Sequence, residues 1–152
     1  MLTLCEDFPN SQATPICNLQ TGVLWGSHLA LADAIAYLKG ESIDPPEADW
    51  NVGHYLTIAG TVRGPASSRS TETARMLVIV RDTYPTLGWD GYHLQPAEVV
   101  ANALKRDDGA EGGVLLFVAA RNQIEIEEEA KARGFDIAVW DNGTPWPPRD
   151  TR

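Results

Sequence analysis

Residues 135–148, FDIAVWDNGTPWPP, decide how the fold is read. The FDIAVW run alternates. Phe135, Ile137 and Val139 share one side and Asp136, Ala138 and Trp140 the other, the period of a strand half-buried in a sheet. Asp141 follows at once, and Asp-Asn-Gly is hairpin-turn chemistry. Trp146 then stands between Pro145 and Pro147. The expectation is a strand over 135–140, lying inside a sheet, and a turn that offers one carboxylate, Asp141, between two tryptophans.

Working outward, RNQIEIEEEAKARG (121–134) reads as a helix. Asn122 is placed to cap it with Glu125 three residues on, its acids lie early, Lys131 and Arg133 lie late, and Gly134 ends it. GGVLLFVAA (112–120) is a short apolar run that suits a strand or a helix, and strand is preferred. PAEVVANALKR (96–106) reads as a helix with Pro96 in its first turn. ARMLVIVRD (74–82) is a buried strand, and HYLTIAGTV (54–62) an alternating one. Between and after these lie a polar loop at 63–73 and a loop rich in aromatics and glycine at 83–93. SHLALADAIAYLKG (27–40) reads as a helix capped by Ser27 and closed by Gly40, with Leu31, Ile35 and Leu38 on one face. GVLWGS (22–27) reads as a strand or extended entry, residues 41–53 as a proline-rich loop, and the first twenty residues as a short strand at LTL followed by a loop.

The sum is an α+β domain spanning 1–152. A Rossmann-like parallel, three-layer α/β arrangement is the alternative over 76–140. No GxGxxG or GxxxxGK[ST] follows any strand, so a phosphate loop has no support.

Composition narrows the function. The chain has 152 residues, 43% hydrophobic and 22% charged, which suits one soluble domain with a core. Twelve Lys+Arg against 21 Asp+Glu give a net charge of −9, poorly suited to a phosphate backbone. Direct nucleic-acid binding is not expected, whereas a basic protein partner is compatible. Cys5 and Cys17 lack CxxC spacing and no secretory leader precedes them, so a cytoplasmic setting is expected. GGVLLFVAA is too short to span a bilayer. His28, His54 and His93 have no HxxxH or HExxH spacing, so no metal site is expected.

Three stretches carry candidate chemistry. EIEEE offers Glu125 and Glu127, but at a helix start such acids favour a solvated face. WGSH (25–28) sets Trp25, Gly26, Ser27 and His28 before a helix, where free amides can hold an anion; the plain alternative is a capped junction with a core Trp. VWDNGTPW presents Asp141, or simply begins a turn.

Taken together and in this order, two of these stretches resemble the small phage ADP-ribosyltransferases of the anti-CRISPR type. Leu24-Trp25-Gly26-Ser27-His28 is similar to that family's Leu-aromatic-Gly-small-His run into a helix. Phe135, Asp141, Gly143, Thr144 and Trp146 are similar to its C-terminal segment. The family's opening aromatic-His-Gly strand motif is not matched, since Cys5 stands where its His is expected. The resemblance implies split sheets around a cleft and transfer of ADP-ribose from NAD to a protein target, in phage counter-defence. Asp141 would stabilise the oxocarbenium-like centre. Trp25, Gly26, Ser27 and His28 would hold the cofactor, and the 64–73 and 84–93 loops would meet the protein. The alternative is a non-catalytic acidic inhibitor or immunity-type protein that binds a basic protein surface by charge.

Overall fold

The computed structural model describes residues 2–8, 13–65, 74–106 and 112–137. The turn expected at Asp141, with Trp140 and Trp146, lies outside the described residues. Helices α1 (Leu2–Asp7), α2 (Leu31–Leu38), α3 (Ala97–Ala103) and α4 (Gln123–Ala132) accompany strands β1 (Ala13–Gln20), β2 (Gly53–Arg63), β3 (Met76–Arg81), β4 (Tyr92–Pro96) and β5 (Gly113–Val118). This is an α+β fold built on one five-stranded sheet in the order β4-β3-β2-β1-β5. The β1–β2, β2–β3 and β3–β4 ladders are antiparallel, which overturns the parallel Rossmann-like alternative for this stretch. The chain divides into two compact units, Thr14–Phe117 and Met1–Ala13 with Val118–Arg152.

In the first unit, register sorts the side chains by face. Leu19 pairs with His54 and Cys17 with Leu56, Ile58 pairs with Val80, and Val80 and Val78 pair with His93 and Gln95. One face therefore carries Cys17, Leu19, Leu56, Val78 and Val80, each at most 1% exposed. Burying each aliphatic side chain here is worth about 1.5–3 kcal/mol before entropy is charged against it. On the opposite face Leu77 packs with Ala34 and Tyr37 of α2, alongside Trp25, Leu38 and Leu94. Helix α3 packs against β3, β4 and the 3₁₀ turn at Thr21–Val23.

Several sequence expectations are corrected. Helix α2 begins at Leu31, after Ala30, so Ser27 is not its cap. Its buried face is Ala34 and Tyr37, while Leu31 and Ile35 are 75% and 44% exposed, because the ring of Tyr37 reaches the sheet. LTL is helical, not extended, and the Pro15 region is strand β1. Pro15 precedes the β1–β2 register, which begins at Ile16. Tyr92–Pro96 forms an edge strand, where 83–93 was expected to be loop and Pro96 the first turn of a helix. Gly40 and Gly134 end their helices with φ of +92° and +80°, as expected.

In the second unit, Leu4, Ile126 and Ala130 are buried, α1 packs on α4, and Arg133 pairs with Asp7 and Glu129. Asn122 makes no side-chain capping bond. Glu125 faces solvent, in keeping with a solvated acidic face. Residues 135–137 are neither strand nor helix, and Ile137 is 45% exposed, so the expected strand is absent over its first half. After Gly134 turns the chain, no ladder partner engages Phe135–Ile137.

Candidate functional site

The buried polar side chains of the described residues are Gln20, Thr21, Ser27, Asp82, His93 and Gln95. All belong to the Thr14–Phe117 unit. They come from two places, the chain from Gln20 to Ser27 and the adjoining strands β3 and β4 with the residue that follows β3. Buried polar atoms normally find partners. Gln20 Oε1, Ser27 Oγ and His93 Nε2 have none among the described residues. Two of these residues, Ser27 and His93, line the same cavity.

The first element of the site is an imidazole–carboxylate pair. Asp82 directly follows β3, and its backbone N–H continues the ladder to the Gly91 carbonyl. The side chain is 3% exposed, and an ionised carboxylate so placed needs donors. It accepts from the Tyr84 N–H at 2.9 Å, and both its oxygens lie 3.1 Å from His54 Nε2. An Nε2–H of His54 therefore faces Asp82, and in the neutral ring Nδ1 is the acceptor. Trp50 and Tyr84 hold the ring at centroid distances of 5.0 and 5.6 Å and meet each other at 4.8 Å. Across the ladder, alternation puts Thr21 on the His54 face. Its hydroxyl is committed to the main chain, donating toward the Trp50 and Val52 carbonyls and accepting from the Val52 N–H.

The second element is a clasp. The Trp25 N–H donates to Gln95 Oε1 at 2.9 Å, and Gln95 Nε2 donates to the Trp25 carbonyl at 2.7 Å. These two bonds fix the orientation of the amide. Its second N–H then faces His93 Nδ1 at 3.1 Å, so His93 carries its proton on Nε2. Burial holds the His93 pKa below its ordinary value, with His28 acting in the same direction and Asp82 and Asp49 against it. His93 is thus a neutral imidazole with a free N–H.

A cavity of about 530 Å³ adjoins the clasp, with Ser27, His28, Ile79, Trp89, Tyr92 and His93 in its wall. The Ser27 backbone N–H donates to Asp49 Oδ2 at 2.7 Å; the buried hydroxyl of the same residue has no partner among the described residues.

Residues 1–141 match the model of DUF6885, a family of unknown function. The chain belongs to that family. No curated protein and no solved structure matches it.

In this DUF6885 chain the residues singled out from sequence fall in different places. Ser27 and His28 line the cavity. Trp25 instead packs edge-on against Tyr37, with ring centroids 5.5 Å apart, as part of the core. Gly26 is required by close approach: its N–H donates to the Pro46 carbonyl, and a Cβ there would lie 2.3 Å from the Glu47 oxygen. Asp141 is outside the described residues. Among the described residues no His, Cys, Asp and Glu are grouped so as to hold a metal ion, and no helix is long and apolar enough to cross a membrane.

Sequence reasoning missed His54, Asp82, His93 and Gln95. A signal was present: HYLTI sets His54 in phase with Leu56, and YHLQP sets His93 in phase with Gln95. Asp82 ends the most apolar strand. Their meeting depends on strand order, which no local pattern contains.

Proposed function

We propose that the domain is an acid–base catalyst of hydrolytic type, with His54 as general base and Asp82 as the residue that positions it. The observation that carries this reading is the buried Asp82 carboxylate, bound to the Tyr84 N–H on one side and His54 Nε2 on the other. A carboxylate behind one imidazole nitrogen fixes the tautomer and stabilises the imidazolium that forms when the other nitrogen takes a proton. No hydroxyl or thiol of the described residues is hydrogen-bonded to His54 Nδ1, and Thr21 is held by the main chain. The group activated is therefore water. Nδ1 removes its proton as the oxygen attacks an electrophilic carbon, and the same proton then passes to the leaving group. The test is a panel of chromogenic acyl esters and anilides with wild type and His54→Gln. Turnover by wild type that falls by about 10²–10⁴ in the variant supports the reading. Equal rates, or no turnover of any panel member by wild type, reject it.

A second reading, transfer of ADP-ribose from NAD to a protein target, is favoured by the place of Ser27 and His28 in the cavity wall. It carries with it a cleft between split sheets, with the five-stranded sheet as one of them, and Asp141 as its acid. Calorimetric titration with NAD tests it. Heat of binding lost in Ser27→Ala supports it, and no heat at millimolar NAD rejects it.

A further inference from the structure

The rings around His54 take no part in its proton transfer. Trp50 and Tyr84 stand with centroids 4.8 Å apart and planes 87° to each other. The imidazole lies 5.0 Å from the first and 5.6 Å from the second. They come from different parts of the chain, and main-chain bonds hold each in place. Trp50 ends the proline-rich stretch before β2, and its carbonyl accepts from the Thr21 hydroxyl at 3.2 Å. Tyr84 follows β3, and its N–H donates to Asp82 Oδ1 at 2.9 Å.

Two rings at right angles meet edge to face, the arrangement their quadrupoles favour. They also form a corner, bounded by one electron-rich face of each. In a plain aromatic core that corner is closed. Here Tyr84 is 48% exposed and Trp50 is half-buried, so solvent reaches the pair. The faces of Trp and Tyr attract a cation and repel an anion.

The surrounding charge has the matching sign. The Asp82 carboxylate stands behind the imidazole, and Asp49, an exposed acid, directly precedes Trp50. Two arginines adjoin the same strands, and alternation sets both on the other face of the sheet. Arg81 precedes Asp82, donates to its carbonyl, and lies over the Tyr92 ring at 4.8 Å. Arg106 lies against Gly53, which precedes His54, and donates to Asn18 Oδ1 at 2.7 Å. The chain as a whole carries a net charge of −9.

The geometry points to a subsite for a small alkylammonium group, seated in the corner between Trp50 and Tyr84 beside His54. It deepens the hydrolytic reading and rests on it for the reacting end: the substrate class is then esters and amides with a short cationic arm. Binding of the cation itself needs no turnover. The experiment titrates the full chain at about pH 7.5 with choline and with its uncharged carbon isostere, 3,3-dimethylbutan-1-ol. It follows by NMR the indole resonance of Trp50, assigned by its loss in Trp50→Phe. Choline is expected to bind about fivefold or more tightly than the isostere. Tyr84→Leu and Trp50→Leu are each expected to weaken choline by about threefold or more, whereas Tyr84→Phe, which keeps the ring face, retains most of the affinity. Tyr84 is half-exposed, so its variants test the idea without threatening the fold. Equal binding of choline and the isostere, no binding of choline, or indifference of choline to both leucine substitutions would overturn the subsite. The acetate esters of the same two alcohols separate the subsite from the chemistry. Equal hydrolysis of both, with no preference in binding, rejects the subsite and leaves His54 as the base. Preference for choline in binding, with neither ester hydrolysed, supports the subsite and rejects the hydrolytic reading.

Discussion

Replacing Gln95 with leucine tests how the site is organised. The residue is 0% exposed, and its amide serves the Trp25 N–H, the Trp25 carbonyl and His93 Nδ1 together. Leucine fills nearly the same space, so the packing change is small. What is lost is the set of bonds. Each buried group left without a partner costs about 1–3 kcal/mol. The lower end applies, because the Trp25 groups are only partly buried and His93 can move its proton to Nδ1. The sum is about 3 kcal/mol. That is a large share of the ~5–15 kcal/mol that holds a domain of this kind together. With a urea m-value of about 2 kcal/mol/M, the unfolding midpoint should fall by roughly 1.5 M. The ¹⁵N imidazole spectrum should also show His93 losing its preference for the Nε2–H form. A loss of less than about 1 kcal/mol, with the tautomer unchanged, would refute the claim that Gln95 ties the 24–27 segment to β4 and sets His93.

The other predictions concern single groups. The His93 pKa is lowered in the folded chain, first by burial, so below about pH 6.5 the unfolded chain takes up a proton that the native state refuses. Stability should be full above that pH and fall as pH drops toward the folded-state value, and His93→Gln should flatten the profile in urea titrations. Tyr37 is shifted the other way: burial, then its bond to Glu98 at 2.6 Å, raises its pKa above the ordinary value of 10. Its contribution should be complete below pH 10 and be lost as pH rises beyond it, and Tyr37→Phe should remove that alkaline slope in circular-dichroism melts. Gly26→Ala places a methyl 2.3 Å from the Glu47 carbonyl and should cost about 1–3 kcal/mol by denaturant unfolding.

The sequence was most legible where local chemistry decides structure. HYLTIAGTV and MLVIVR became adjacent strands because alternation and β-branching mark them, and Gly40 and Gly134 ended helices because each takes positive φ without a Cβ. It misled where tertiary packing chose among faces. Helix α2 shows two apolar stripes, and the one with Tyr37 is buried because its ring reaches Leu77 and its hydroxyl reaches Glu98. Ser27 looked like a cap, but the helix starts later and its hydroxyl is left beside a cavity. The resemblance set Trp25 at the cofactor, but its ring packs on Tyr37 as the plain alternative of a core Trp had it, whereas Trp89, in a stretch read as loop, is the exposed one. The partners of Asp82 and His93 were beyond reach from sequence, because they follow from antiparallel pairing of β2, β3 and β4.

The central claim is that His54 and Asp82 work as one unit, and a double-mutant cycle on kcat/KM measures that most directly. Wild type, His54→Gln, Asp82→Asn and the double variant are compared on the best substrate from the ester and anilide panel, each checked for folding by its urea midpoint. If Asp82 acts through His54, each single change removes most of the activity, and the double variant is no slower than His54→Gln alone. Strictly multiplicative losses, or an Asp82→Asn protein as active as wild type, would contradict the account and leave the pair a plain structural contact between β2 and β3.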